Sequence, residues 1–116
     1  MNSRLLGAFG EQQAANLLRS KGYEIYAANY VTYVGELDIV AVKDDVICFV
    51  EVKTRQVGGM TNPADAVDAR KQSNIKGSAS AFMNRYSLKN KMRFDIIEVY
   101  IENDKVSKLN HIENAF

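Results

Sequence analysis

The chain has one cysteine, one histidine, no long apolar run and almost no net charge. Each scarcity closes off a class of function. Cys48 has no partner for an internal disulfide, and in mid-strand it reads as a small buried apolar residue in a reducing compartment, not as a nucleophile. His111, near the C-terminal end, argues against histidine-based acid–base chemistry and against any multi-histidine metal site. No segment approaches the length needed to span a bilayer, and the N-terminal stretch lacks the apolar core of a signal peptide, so the expected location is cytoplasmic. With 116 residues and 47% hydrophobic content, one α/β domain covering residues 1–116 around one core is expected.

The net charge of +1 conceals an uneven distribution. Residues 1–51 carry Glu11, Glu24, Glu36, Asp38, Asp44, Asp45 and Glu51 against only Arg4, Arg19, Lys21 and Lys43. From Ala69 to Phe94 the chain holds Arg70, Lys71, Lys76, Arg85, Lys89, Lys91 and Arg93, and no acid. A phosphate backbone favours such clustering, because each neutralised phosphate releases counterions. A solvated helix face followed by loop lysines would produce the same composition. Beside an acidic metal site the nucleic-acid account is the better one, since acids alone would repel a polyanion.

The acidic half contains the most informative stretch. Leu37-Asp38-Ile39-Val40-Ala41-Val42 and Val46-Ile47-Cys48-Phe49-Val50-Glu51-Val52 are nearly continuous apolar runs rich in β-branched residues, the pattern of strands covered on both faces. Asp44-Asp45 is the natural turn between them. An even-length loop there pairs residues whose numbers sum to 89, which sets Asp38 opposite Glu51. Opposed residues on antiparallel strands have Cβ atoms roughly 4.5–5.5 Å apart, and like charges so placed repel. The pair therefore needs a cation or a raised pKa on one member. Lys53 projects from the same face as Glu51, two residues on. Two carboxylates and a lysine suit a hard cation such as Mg²⁺. The same register also sets Glu36 opposite Lys53 as an ordinary cross-strand ion pair, and an odd-length loop would separate the acids altogether.

A third acid stands on an amphipathic helix expected from about Arg4 to Lys21 and stopped at Gly22. Ala8, Glu11, Ala14, Ala15 and Leu18 recur there at helical spacing, which places Glu11 on the apolar stripe or at its exposed edge. A first strand is expected over Glu24–Ala28, with residues 29–35 leading into the acidic hairpin. Asn62-Pro63 with Asp65 forms a helix-start signal, and the helix runs to about Asn84, burying Ala66, Ala69, Ile75, Ala79 and Phe82, with a break near Gly77. Gly58-Gly59 lacks the lysine and spacing of a phosphate-binding loop. Strands over Arg93–Ile101 and up to Ile112 follow, joined at Asn103-Asp104. Asp95 opens the first of these as a structural acid. Arg55 either clamps a phosphate or pairs with a surface carboxylate. The tyrosines at 23, 26, 30 and 33 are assigned to core or rim.

Taken together, Gly10-Glu11 with Ala14-Ala15, Gly22-Tyr23, Gly35-Glu36-Leu37-Asp38, Phe49-Val50-Glu51-Val52-Lys53-Thr54-Arg55, Arg70-Lys71-Gln72 and Arg93-Phe94-Asp95 resemble the YraN-type bacterial family. That family is placed in the PD-(D/E)XK nuclease superfamily, near the archaeal Holliday-junction resolvases. The resemblance implies a restriction-endonuclease-like core, a mixed sheet with a central acidic hairpin flanked by helices. It implies Asp38, Glu51 and the backbone carbonyl of Val52 as ligands of Mg²⁺ or Mn²⁺, Lys53 as catalytic lysine, Glu11 as the helix-borne acid for a possible second metal, and Gln72 as an auxiliary polar group. Leu37 stands where the superfamily's name has proline. The expected activity is metal-dependent endonucleolytic hydrolysis of DNA in preference to RNA, with branched DNA foremost, Arg55, Arg70, Lys71 and Lys76 on the nucleic acid, and a possible homodimer. The alternative is a non-catalytic nucleic-acid-binding module that keeps the fold.

Overall fold

The computed structural model describes residues 1–58 and 67–116. In chain order the elements are α1 (Ser3–Ser20), β1 (Glu24–Val31), β2 (Glu36–Lys43), β3 (Val46–Gln56), α2 (Ala69–Arg85), β4 (Lys91–Glu102) and β5 (Lys105–Ile112). The strands form one sheet in sequential order, β1-β2-β3-β4-β5. It is mixed: β3 and β4 are parallel and every other neighbouring pair is antiparallel. Parallel neighbours need a crossover, and α2 lies in it.

The apolar runs of β2 and β3 are buried on both faces, as their composition predicts. Cys48 and Val50 pack with Ala14 and Leu18 of α1, while Ile47 and Phe49 pack with Ile75, Ala79 and Phe82 of α2. Alternate residues of one strand thus serve two helices on opposite faces. α1 opens with Asn2, whose Oδ1 accepts the Leu5 N–H at 2.9 Å. It closes at Gly22, where φ is +92° and the Tyr23 and Gly22 N–H groups return to the Leu18 and Arg19 carbonyls. That pair of bonds is the Schellman motif, which the left-handed glycine permits. Among the described residues no helix is long and apolar enough to cross a membrane.

Three boundaries depart from the sequence reading. β1 continues past Ala28 to Val31, pairing Tyr30 with Leu37 and Val31 with Glu36. It is a half-exposed edge strand, so its polar residues hid its length. The loop to β2 is correspondingly short and is held by Thr32, whose hydroxyl oxygen accepts the Val34 and Gly35 N–H groups. α2 begins at Ala69 and is capped by Asp68, whose Oδ1 accepts the Lys71 N–H at 2.9 Å. The Asn62-Pro63 start signal, Gly59, Asp65 and Ala66 lie outside the described residues; Val67 and Asp68 are not helical, and Ala69 is exposed. Finally, α2 runs through Gly77 without a break. The glycine answers a packing demand, since a Cβ there would stand 2.9 Å from Cγ1 of Val34.

Asp95 is the structural acid expected of it, and it is fully buried. Arg93 donates to it twice, at 2.9 and 2.8 Å, the Asn114 N–H at 2.9 Å, and His111 Nε2 lies 2.7 Å away. Burial alone would raise its pKa, but the bonds from Arg93, Cys48, Asn114 and His111 outweigh that and hold it at about 2. Lys21 Nζ reaches the other ring nitrogen of His111 at 2.8 Å, which ties the end of α1 to β5.

Candidate metal and phosphate site

The β2–β3 ladder runs from Lys43↔Val46 to Ile39↔Val50, and the Asp44-Asp45 turn between them has Asp44 in the left-handed region. Every pair sums to 89, so the next step sets Asp38 against Glu51. There β3 stays with β4, whose ladder continues to Gln56↔Ile101, while the Val52 N–H donates to Oδ2 of Asp38 at 2.9 Å. The acid is thereby fixed to the strand that carries Glu51.

Glu51 is only 7% exposed. Burial pushes its pKa up to about 8, aided by the hydrogen bond and negative charge of Asp38 and opposed by Lys71 and Lys53. Two carboxyls meeting in a dry place disfavour each other's ionisation, and the neighbouring lysines relieve this only in part. The Lys71 ammonium stands 3.4 Å from Oε2 of Glu51. Asp68 fixes the backbone of the same lysine, so one helix cap aims one side chain at the site.

Glu11 borders the site from the other helix. It is half-buried, and burial raises its pKa, a bond from Asn29 offsets this, and the charges of Asp38 and Glu36 raise it further. The stripe it was expected to share differs in detail: Ala8 is exposed, and the covered residues are Leu6, Phe9, Gly10, Ala14, Ala15, Leu17 and Leu18. Gln72 does not face the acids; its amide donates to the Val67 carbonyl at 3.1 Å, at the start of its own helix. Arg55 pairs with Glu98 at 3.0 Å, the carboxylate contact that was one of its two readings. Arg70 is exposed, and Lys76 Nζ lies 5.8 Å from the ring centre of Phe94.

The acids open into a hollow of about 260 Å³ that Glu36, Asp38, Glu51, Lys71 and Asn74 help to line. Sequence reasoning counted Lys71 as one of several cations and passed over Asn74. The signal was their spacing of three, which places them on one helical face. Among the described residues no three acid, histidine or cysteine side chains converge on one point. Two carboxylates still fit a divalent cation of the Mg²⁺ kind, which takes one or two from the protein and completes its shell with waters and phosphate oxygens.

The family described as "Uncharacterised protein family UPF0102" matches residues 10–99. The chain is 44% identical over 119 aligned positions to a "UPF0102 protein" of Alkaliphilus oremlandii (strain OhILAs), covering 100% of both. It is 44% identical over 115 positions to the namesake in Syntrophomonas wolfei, covering 98% of this chain and 99% of the relative. To that of Caldicellulosiruptor saccharolyticus it is 42% identical over 118 positions, again with 100% of each covered.

Proposed function

The chain belongs to the UPF0102 family, and from that premise we propose that it is a cytoplasmic, metal-dependent endonuclease of the PD-(D/E)XK kind acting on DNA. The observation that carries this is the opposition of Asp38 and Glu51 with Lys71 and Lys53 beside them. A pure binding module gains nothing from burying two repelling acids, whereas phosphodiester hydrolysis needs a place for a divalent cation.

Asp38 and Glu51 would hold Mg²⁺ or Mn²⁺ together with the Val52 carbonyl. The bound ion would polarise the phosphate and lower the pKa of the attacking water. Lys53 orients that water or offsets charge developing on the phosphate. Lys71, beside Glu51, would offset part of the phosphate charge. Glu11 receives a hydrogen bond from the water shell at the edge of the site. Gln72, bonded to Val67, positions the start of α2 and hence Lys71, in place of the direct contact that the resemblance implied. Arg55, paired with Glu98 on the sheet, and Arg70, Lys71 and Lys76 of α2 are the cations that would meet the backbone of DNA. By resemblance to the junction resolvases, branched DNA is the first substrate to try, and a homodimer would supply its two cuts.

The test is incubation with plasmid, linear and four-way-junction DNA in Mg²⁺ or Mn²⁺, beside Glu51→Ala. Metal-dependent cleavage that the substitution abolishes supports the proposal. DNA binding without cleavage, unchanged by the substitution, leaves the non-catalytic module in its place.

A further inference from the structure

On the far side of the β1–β2 loop from the acids lies a second concavity that the proposed hydrolysis does not use. It is an open hollow of about 670 Å³ between the β1 edge and the end of α2, lined by Tyr26, Tyr30, Phe82, Tyr86 and Leu88 among others. A smaller one of about 220 Å³, sharing Tyr30, adds Tyr33 and Arg85. Three of the tyrosines are not spent on the core, for Tyr33 is 94% exposed, Tyr26 53% and Tyr86 48%, while Phe82 and Tyr30 pack into it and form the floor. Tyr30 and Tyr86 stand edge-on with ring centres 6.2 Å apart, and the Arg85 guanidinium lies 5.3 Å from the Tyr86 ring centre.

We propose that this tyrosine-lined hollow binds unpaired nucleotides of the nucleic acid whose phosphate enters the acidic site. The alignment of α2 supports it. Lys71 and Asn74 line the acidic hollow, while Ala81 and Arg85 line the tyrosine side, with Ser78 between them against Thr32 at 2.9 Å. Steps of three or four residues keep all five on one helical face. The two hollows therefore open along one line of the helix, on either side of the β1–β2 loop that covers it at Ser78. From Lys71 to Arg85 that line covers about 21 Å of helix, on the order of six nucleotides for an arm that stays stacked at the duplex spacing of about 3.4 Å.

Charge selects the occupant. The segment from α2 to the start of β4 contains Arg85, Lys89 and Lys91 and no acid, and Arg85 lies against the tyrosines themselves. Tyrosine faces accept any base by stacking, and arginine adds attraction to both base and phosphate. Unpaired nucleic acid, which offers base faces and phosphates together, matches both the tyrosines and the arginine. The substrate class is then a duplex with a single-stranded arm, a flap or an opened branch point, in preference to blunt duplex. This deepens the nuclease reading and rests on it for the identity of the polymer.

The experiment is binding without divalent metal, in EDTA, so that it does not depend on hydrolysis. Fluorescence anisotropy compares a labelled duplex carrying an overhang of about six nucleotides with the same duplex blunt-ended. The wild type is expected to prefer the overhang by about tenfold. Tyr26→Ala/Tyr86→Ala, at two half-exposed positions, should abolish the preference and leave blunt-duplex binding unchanged. Should that double variant unfold, R85E at an exposed position carries the same expectation. Equal binding of both duplexes by the wild type, or a preference that survives these substitutions, overturns the inference. So does a wild-type dimer, by light scattering, that the tyrosine variant turns into a monomer with its DNA preference intact. Overhang preference in a protein that never cleaves would remove the proposed hydrolysis and leave this site standing. Glu51-dependent cleavage by a protein indifferent to its tyrosines would do the reverse.

Discussion

The Val52 N–H donates to Oδ2 of Asp38 across the gap between two strands, and the residue before it on β3 is Glu51. The bond ties the Asp38 carboxylate to the stretch of β3 that carries Glu51, so the backbone of the second acid and the side chain of the first keep one spacing. Preorganisation of this kind removes the ordering cost that a loop-borne site would face on binding metal.

Binding of Mg²⁺ or Mn²⁺ should therefore release a proton. With Glu51 near 8, most molecules at pH 7 carry that proton, and a ligating carboxylate must lose it. Titration calorimetry at pH 7 in two buffers of different ionisation enthalpy should show close to one proton released. Apparent affinity should rise with pH and level off above about 8. Buffer-independent heats at pH 7 would show that Glu51 is ionised before the metal arrives.

Without metal, E51Q should gain stability as the pH rises. The folded pKa lies above the ordinary value of 4.5, so the contribution of Glu51 is greatest below 4.5 and is lost as the pH climbs to about 8. The amide does not titrate and escapes that loss. Urea denaturation in EDTA should show the variant ahead by roughly 2–4 kcal/mol at pH 9 and by little at pH 5. Parallel pH profiles would contradict this account.

Asp95 should behave in the opposite sense. Its folded pKa of about 2 lies below the ordinary 3.8, so its contribution is complete above about pH 4 and is lost as the pH falls through 3.8 towards 2. The difference is on the order of 2 kcal/mol. D95N should flatten the acid limb of the stability curve. At pH 7 it should cost about 3–5 kcal/mol, because Arg93 and His111 lose the charge they surround.

G10A should destabilise the fold by about 1–3 kcal/mol and weaken metal binding as well. A Cβ at that position would run into Oγ1 of Thr54 on β3, so α1 must move off the sheet and take Glu11 with it. G7A, on the same helix with nothing within 4 Å of its Cβ, should be neutral or slightly stabilising. Thermal melts of the two variants side by side decide the matter.

The parts of the fold legible in the sequence were those set by short-range chemistry. Asp44-Asp45 fixed the register that opposes Asp38 and Glu51, Gly22 ended α1, and Asn103-Asp104, both left-handed, turned β4 into β5. What was not legible depends on how elements dock. Lys71 reaches Glu51 because α2 is laid across one face of the sheet and Asp68 sets its rotation. Composition alone could not separate this lysine from Arg70 or Lys76. Gln72, one residue further round the helix, turns back to Val67. The length of β1 escaped notice because an edge strand carries only half the apolar signal of a central one.

The parallel pairing of β3 with β4 has a consequence for how the molecule comes to exist. The β2–β3 hairpin closes over a two-residue turn, an event on the microsecond scale, whereas β4 joins β3 only after residues 57–90 have been laid down as the crossover. Asp38 and Glu51 are thus brought face to face early, while the strand is still open to water and their repulsion is weak. The later arrival of α2 and β4 dries the pair and raises the energy of keeping both charged. Assembly itself arms the site, and a divalent cation present during folding should speed the last step more than the first.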